Sequence, residues 1–276
     1  MVQGTSSGAG KSTIVAGLCR IFSDAGRKVA PFKSQNMSSN LYQTAGGLKM
    51  ARAQAIQAVA ARREPDARTN PILLKPLGDY RSEVLVNGRF YAEMHAREYY
   101  ESFVLKQGFP LALKALDSLR RENDVVVIEG AGSPAEINIA RYDIANMLLA
   151  EKVKSPVIIV ADIERGGCFA SIVGTMQLLK PKHRALVKGF LINKFRGDPS
   201  LLAPAIKTTE KMTRKRVLGI VPKIEIALPE EDSLDGGSRA GGELLPQESW
   251  GWQFDLLAKA IKENTDVERL NEVAGF

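Results

Sequence analysis

Five short apolar runs, at 28–33, 125–129, 157–161, 186–193 and 216–221, punctuate the chain, and each gives way to a loop rich in glycine, proline or polar residues. Stretches of helical periodicity lie between them. That alternation predicts an α/β fold, a mostly parallel sheet with helices on both faces, whose ligands bind at the strand ends. Residues 13–18 (Thr-Ile-Val-Ala-Gly-Leu) read as an amphipathic helix. Segment 48–61, with Ala51, Ala55, Ala58 and Ala60, reads as another, and 91–121 as one or two helices interrupted at Pro110. Short strands at 84–86 and 89–91, turned at Asn87-Gly88, form a predicted hairpin. There are no internal repeats. The glycine-rich stretch 235–242 reads as a connector and 254–264 as a terminal helix, which divides the chain into a main domain at 1–233 and an appendage at 234–276 that could open a further domain.

With 276 residues the chain can bury a substantial core, and 45% hydrophobic with 25% charged residues is ordinary for a soluble protein. No apolar run approaches the roughly 20 residues that span a bilayer, and no secretory leader precedes the first motif, so the expectation is a cytoplasmic protein with no membrane partner. The two cysteines, Cys19 and Cys168, have neither disulfide-framework nor zinc-ligand spacing. A net charge of +7 admits nucleic acid, but the basic residues are scattered without aromatic interleaving. Anionic small molecules explain the charge equally well.

The first chemical motif is Gly4-Thr5-Ser6-Ser7-Gly8-Ala9-Gly10-Lys11-Ser12-Thr13, placed before the helix at 13–18. Gly10-Lys11-Ser12 matches the triphosphate-binding signature, in which backbone N–H groups wrap the phosphates, the lysine reaches the β/γ oxygens and the serine holds Mg²⁺. Gly8, Ala9, Gly10, Lys11, Ser12 and Thr13 are therefore candidate nucleotide ligands. Gly4 lies one residue further from Gly10 than the common spacing puts the first glycine. Only three residues precede the loop, so its feeding strand is short or starts upstream.

Polar residues recur where the other apolar runs end. Glu129 closes the run Val125-Val126-Val127-Ile128, where an acid can bind Mg²⁺ directly or through water, or can simply be solvated. Lys33 ends the run Ala30-Pro31-Phe32 and can neutralise a γ-phosphate or a substrate carboxylate; Ser34, Gln35 and Asn36 crowd hydrogen-bonding groups into the turn after it. Asp162 and Arg165, followed by Gly166-Gly167, repeat the pattern, with Arg165 able to clamp an oxyanion or to pair with Asp162. Asn193 can read a purine edge, or serve as a turn residue.

Taken in order, the glycine loop, Pro31-Phe32-Lys33-Ser34-Gln35-Asn36-Met37, Asn70-Pro71-Ile72-Leu73-Leu74-Lys75-Pro76, the strings at 128–138, 161–167 and 193–198, and Leu228-Pro229-Glu230-Glu231-Asp232-Ser233 resemble the synthetase domain of cobyric acid synthases. The resemblance implies a P-loop fold of the dethiobiotin synthetase and MinD type that uses ATP and Mg²⁺ to activate peripheral carboxylates of a corrinoid, adenosyl-cobyrinic acid a,c-diamide, for amidation through an acyl phosphate. It implies Lys11, Ser12 and Glu129 around Mg-ATP, and Lys33 and Arg165 on the developing charge. Ser34, Gln35, Asn36 and Asp162 would contact substrate, and Asn193 and Pro222 the adenine. Gln54 lies near where dethiobiotin synthetases carry a second acidic Mg²⁺ ligand, and is not acidic. Family members continue into a class I glutamine amidotransferase. Cys168 lacks the Gly-x-Cys-x-Gly elbow and neither His95 nor His183 completes a triad, so ammonia is expected from solution, from a separate subunit or from a missing half. A homodimer is compatible with this type of domain. Two other readings stay open, a related ligase for another tetrapyrrole acid or a biotin precursor, and a ParA/MinD-like nucleotide switch.

Overall fold

The computed structural model describes residues 1–226 and 247–276, so the connector at 235–242 and the string at 228–233 lie outside the described residues. Strand β1 (Val2–Gly4) leads through the glycine loop into α1 (Lys11–Asp24), followed by β2 (Val29–Phe32), β3 (Gln35–Met37), β4 (Leu41–Gln43), β5 (Lys49–Ala51) and α2 (Arg52–Ala60). Strands β6 (Ile72–Gly78), β7 (Arg81–Val86) and β8 (Arg89–His95) run into a helical stretch made of α3 (Ala96–Glu98), a π-helix (Tyr99–Gly108) and α4 (Phe109–Glu122). The remainder alternates as β9 (Val125–Ile128), α5 (Met147–Val153), β10 (Val157–Asp162), α6 (Cys168–Leu178), α7 (Pro181–Leu186), β11 (Val187–Phe195), α8 (Ala203–Thr213) and β12 (Arg216–Pro222), then α9 (Gln247–Asn264) and α10 (Val267–Ala274). All five predicted apolar runs are strands. Among the described residues no helix is long and apolar enough to cross a membrane.

The described residues divide into two compact units, 1–14 with 130–226 and 256–276, and 15–129 with 247–255. In the first, β1, β10, β11 and β12 form a parallel sheet in the order β1-β10-β11-β12. β10 is buried at all six positions, which is why its sequence, Val-Ile-Ile-Val-Ala-Asp, stays apolar until its last residue. Val157, Ile159 and Ala161 of β10 pack with Phe190 and Ile192 of β11 against Met147 of α5 and Ile172 and Met176 of α6. Thr265, just past α9, bridges to Gly219 of β12.

In the second unit β2 and β9 pair in parallel, from Val29 opposite Val125 to Phe32 opposite Ile128, which brings Lys33 and Glu129 to the same end of the pair. A second sheet has the order β3-β6-β7-β8. The predicted hairpin is present: Asn87 (φ 48°) and Gly88 (φ 81°) form the two-residue connection that left-handed residues favour. α4 buries Ala112, Ala115, Leu116 and Leu119, one stripe at helical spacing.

Two expectations need correction. The helix placed at 48–61 begins only at Arg52, because Lys49–Ala51 pairs antiparallel with Leu41–Gln43 and buries Met50 and Ala51. Residues 91–95 are strand, and Pro110 does not interrupt the helix that follows. It sits in the first turn of α4, just after the π-helix, where its fixed φ suits the helical backbone.

Candidate nucleotide-binding site

In the first unit the glycine loop is tied down by its carbonyls. A phosphate cradle aims its backbone N–H groups inward, so its C=O groups face outward and need donors. Lys11 Nζ donates to Ser6 O (3.0 Å) and to Gly132 O (3.1 Å). Asn193 Nδ2 donates to Ala9 O (3.0 Å), and Lys194 Nζ donates to Gly8 O (2.7 Å). Gly10 has a φ of 94°, and a Cβ there would collide with the Asn193 amide, so this position tolerates only glycine. Ser12 and Thr13 lie in the first turn of α1, the helix end whose backbone N–H groups and dipole favour an anion.

Lys194 was invisible to sequence reasoning as a functional residue. It is held at the loop by a second contact, an ion pair with Asp162 Oδ2 (3.1 Å), and its φ of 61° is one a lysine seldom adopts. Asp162, expected to meet substrate, is only 8% exposed and spends its other oxygen on the Glu164 N–H (2.8 Å). It is a support for Lys194. Glu164 is in turn paired with Lys223 and Arg196. The hydrogen bond from Lys223 holds its carboxyl below the usual range. Arg165 pairs with no acid among the described residues and is exposed, with Nη2 4.0 Å from where a Cβ on Gly8 would stand. Asn193 and Pro222 end up on neighbouring strands, β11 and β12.

The second unit gathers the other candidates. Lys33 Nζ donates to Glu129 Oε1 at 3.0 Å, with Lys33 2% and Glu129 0% exposed, and Gln57 Nε2 donates to the other carboxylate oxygen. Gln57 had no part in the sequence reading, since nothing in the helical alanine run marks it. The turn after Lys33 differs from expectation: Ser34 is fully buried and Asn36 faces inward, donating to Gln54 Oε1 (2.9 Å) and accepting from the Met37 N–H. Gln35 keeps some exposure and accepts from the Tyr99 hydroxyl of the π-helix (2.6 Å). Among the described residues no group of three His, Cys, Asp or Glu could hold a metal alone. Burial pushes the Cys168 thiol up to about 11, so it is no nucleophile near neutrality.

A family model described as CobQ/CobB/MinD/ParA nucleotide binding domain matches residues 1–233. The chain belongs to that family. Relatives of this CobQ/CobB/MinD/ParA domain include a "probable cobyric acid synthase" of Thermococcus kodakarensis, 55% identical over 244 residues, covering 88% of this chain and 50% of the relative. A "cobyric acid synthase" of Dehalococcoides mccartyi is 54% identical over 269 residues, covering 94% and 53%. The chain thus spans about half the length of the curated relatives it matches. Among solved structures, Pyrococcus furiosus MinD covers 95% of this chain and is itself 98% covered, with a TM-score of 0.40 and 15% identity.

Proposed function

We propose that this domain carries out the ATP-dependent half of corrinoid amidation in cobalamin biosynthesis, turning carboxylates of adenosyl-cobyrinic acid a,c-diamide into amides. The observation that carries the reading is the glycine loop, whose Ser6, Gly8 and Ala9 carbonyls accept from Lys11, Lys194 and Asn193, leaving its N–H groups as anion donors to be tested; the relatives' names suggest the substrate class. A carboxylate oxygen attacks the γ-phosphorus of ATP, the β–γ bridging bond breaks and ADP leaves. Ammonia then attacks the acyl phosphate and inorganic phosphate departs, with a proton lost to solvent. Lys11 and Arg165 are assigned to the charge on the phosphoryl oxygens, Asn193 and Pro222 to adenine, Ser12 and Glu129 to Mg²⁺, Lys33 to the carboxylate being activated and Gln35 to the substrate. Mg²⁺ supplies charge neutralisation on the β- and γ-phosphates.

The test is the purified chain with ATP, Mg²⁺, ammonium and the corrinoid diamide, read by release of ADP and phosphate and by the mass of the corrinoid. No substrate-stimulated hydrolysis and no amide product would sink the reading. Within that assay, Arg165→Ala is expected to slow turnover on the order of a hundredfold, the cost of removing one oxyanion donor. Its melting temperature should barely move, because the side chain is exposed. Arg165→Lys should fall between, having the charge but not the fork. Wild-type turnover in Arg165→Ala would remove the residue from the mechanism.

A further inference from the structure

Asn146, just before α5, is 2% exposed and had no place in the sequence reading. Its Nδ2 donates to Ala131 O (2.6 Å) and Asp143 Oδ1 (3.2 Å), and its backbone N–H also donates to Asp143 Oδ1 (3.0 Å). The other end of the carboxamide, Oδ1, has no hydrogen-bond partner among the described residues and fills the space where a Cβ on Gly130 would stand. A buried amide oxygen without a donor is costly and calls for an explanation. Gly130 also donates its N–H to Val2 O (2.8 Å), and Gln3 Cγ lies 3.0 Å from the same Cβ position. One side chain therefore fixes residues 130 and 131 together. The next residue, Gly132, offers its carbonyl to Lys11 Nζ.

We propose that Asn146 is a positioning residue of the nucleotide site: its carboxamide sets the 130–132 segment so that Gly132 O holds the Lys11 ammonium ready for the phosphates. Asp143 orients that carboxamide, and burial pushes the Asp143 carboxyl up to about 6. The inference rests on nucleotide binding by this unit and not on the amidation, so a failed corrinoid assay leaves it standing.

The test is titration with a fluorescent ATP analogue. Asn146→Ala should weaken binding about tenfold in the wild-type background and by less than twofold in a Lys11→Ala background, because the effect runs through that lysine. A side chain needed only for folding would weaken both equally, and that result overturns the proposal. A second arm is read in melting temperature and uses no nucleotide. Gly130→Ala should be strongly destabilised, and adding Asn146→Ala should raise its melting temperature by removing the colliding oxygen. If the double variant melts below Gly130→Ala, the close contact is not the constraint and the proposal falls.

Discussion

Lys33→Met is expected to cost about 3–5 kcal/mol of folding stability, and the double variant Lys33→Met/Glu129→Gln to regain most of it. The reasoning starts from burial: Lys33 is 2% and Glu129 0% exposed, with Nζ and Oε1 3.0 Å apart. Removing the ammonium leaves a carboxylate out of water, to which Gln57 still donates. Neutral donors do not replace the opposite charge, and a buried carboxylate stripped of its ion-pair partner costs about 3–5 kcal/mol. Replacing both partners removes both charges, and the neutral amide of the second substitution can still face Gln57. Chemical denaturation of the four proteins of the cycle measures the coupling. If the two single losses simply add, the pair is not a coupled buried ion pair. ATP turnover gives the second readout: the double variant should be well folded and inactive, which separates the pair's role in stability from its proposed role in charge neutralisation.

Much of this fold is legible because parallel strands buried on both faces must be apolar and must end in polar residues where the chain emerges. Val157–Asp162 illustrates it, and so does the rise of Lys33 and Glu129 at one end of the β2 and β9 pair. Local chemistry also suffices for the Asn87-Gly88 turn. What fails is anything settled by partners distant in sequence. Lys49-Met50-Ala51 consists of good helix formers, yet a ladder with Leu41–Gln43 claims it. Polar Asn36 looks ligand-facing until Gln54 is found against it, and Asp162 looks like a substrate contact until Lys194 is. Lys194 meets Gly8 across 186 residues of chain, and Asn146 meets Ala131 through a loop with no periodicity to betray it. In each case the side chain's own neighbours in sequence are uninformative, and for Lys194 and Asn146 the deciding partner is a backbone carbonyl, which every residue possesses.

Lys194→Met should weaken nucleotide binding by about tenfold to a hundredfold while leaving most of the fold intact. Two contacts are lost, the hydrogen bond to Gly8 O at 2.7 Å and the ion pair with Asp162 at 3.1 Å. Charge-assisted bonds of this kind contribute about 1.5–3 kcal/mol each, and the first acts directly on the loop's conformation. Without it, Gly8 O is free to turn and the adjoining N–H groups no longer point together, so part of the binding energy is spent on ordering the loop. Asn193→Asp probes the neighbouring tether differently, since its carboxylate would face Ala9 O, an acceptor, and push the loop away. A control isolates the loop effect from the stranded acid: Asp162→Asn keeps Lys194 at Gly8 and removes only the ion pair, so it should bind nucleotide within about threefold of wild type. Titration with a fluorescent ATP analogue reads all three, with circular dichroism melts alongside. Should Asp162→Asn weaken binding as much as Lys194→Met, the ion pair rather than the Gly8 carbonyl tether would be what holds the loop, and Lys194 would act only as its counter-charge.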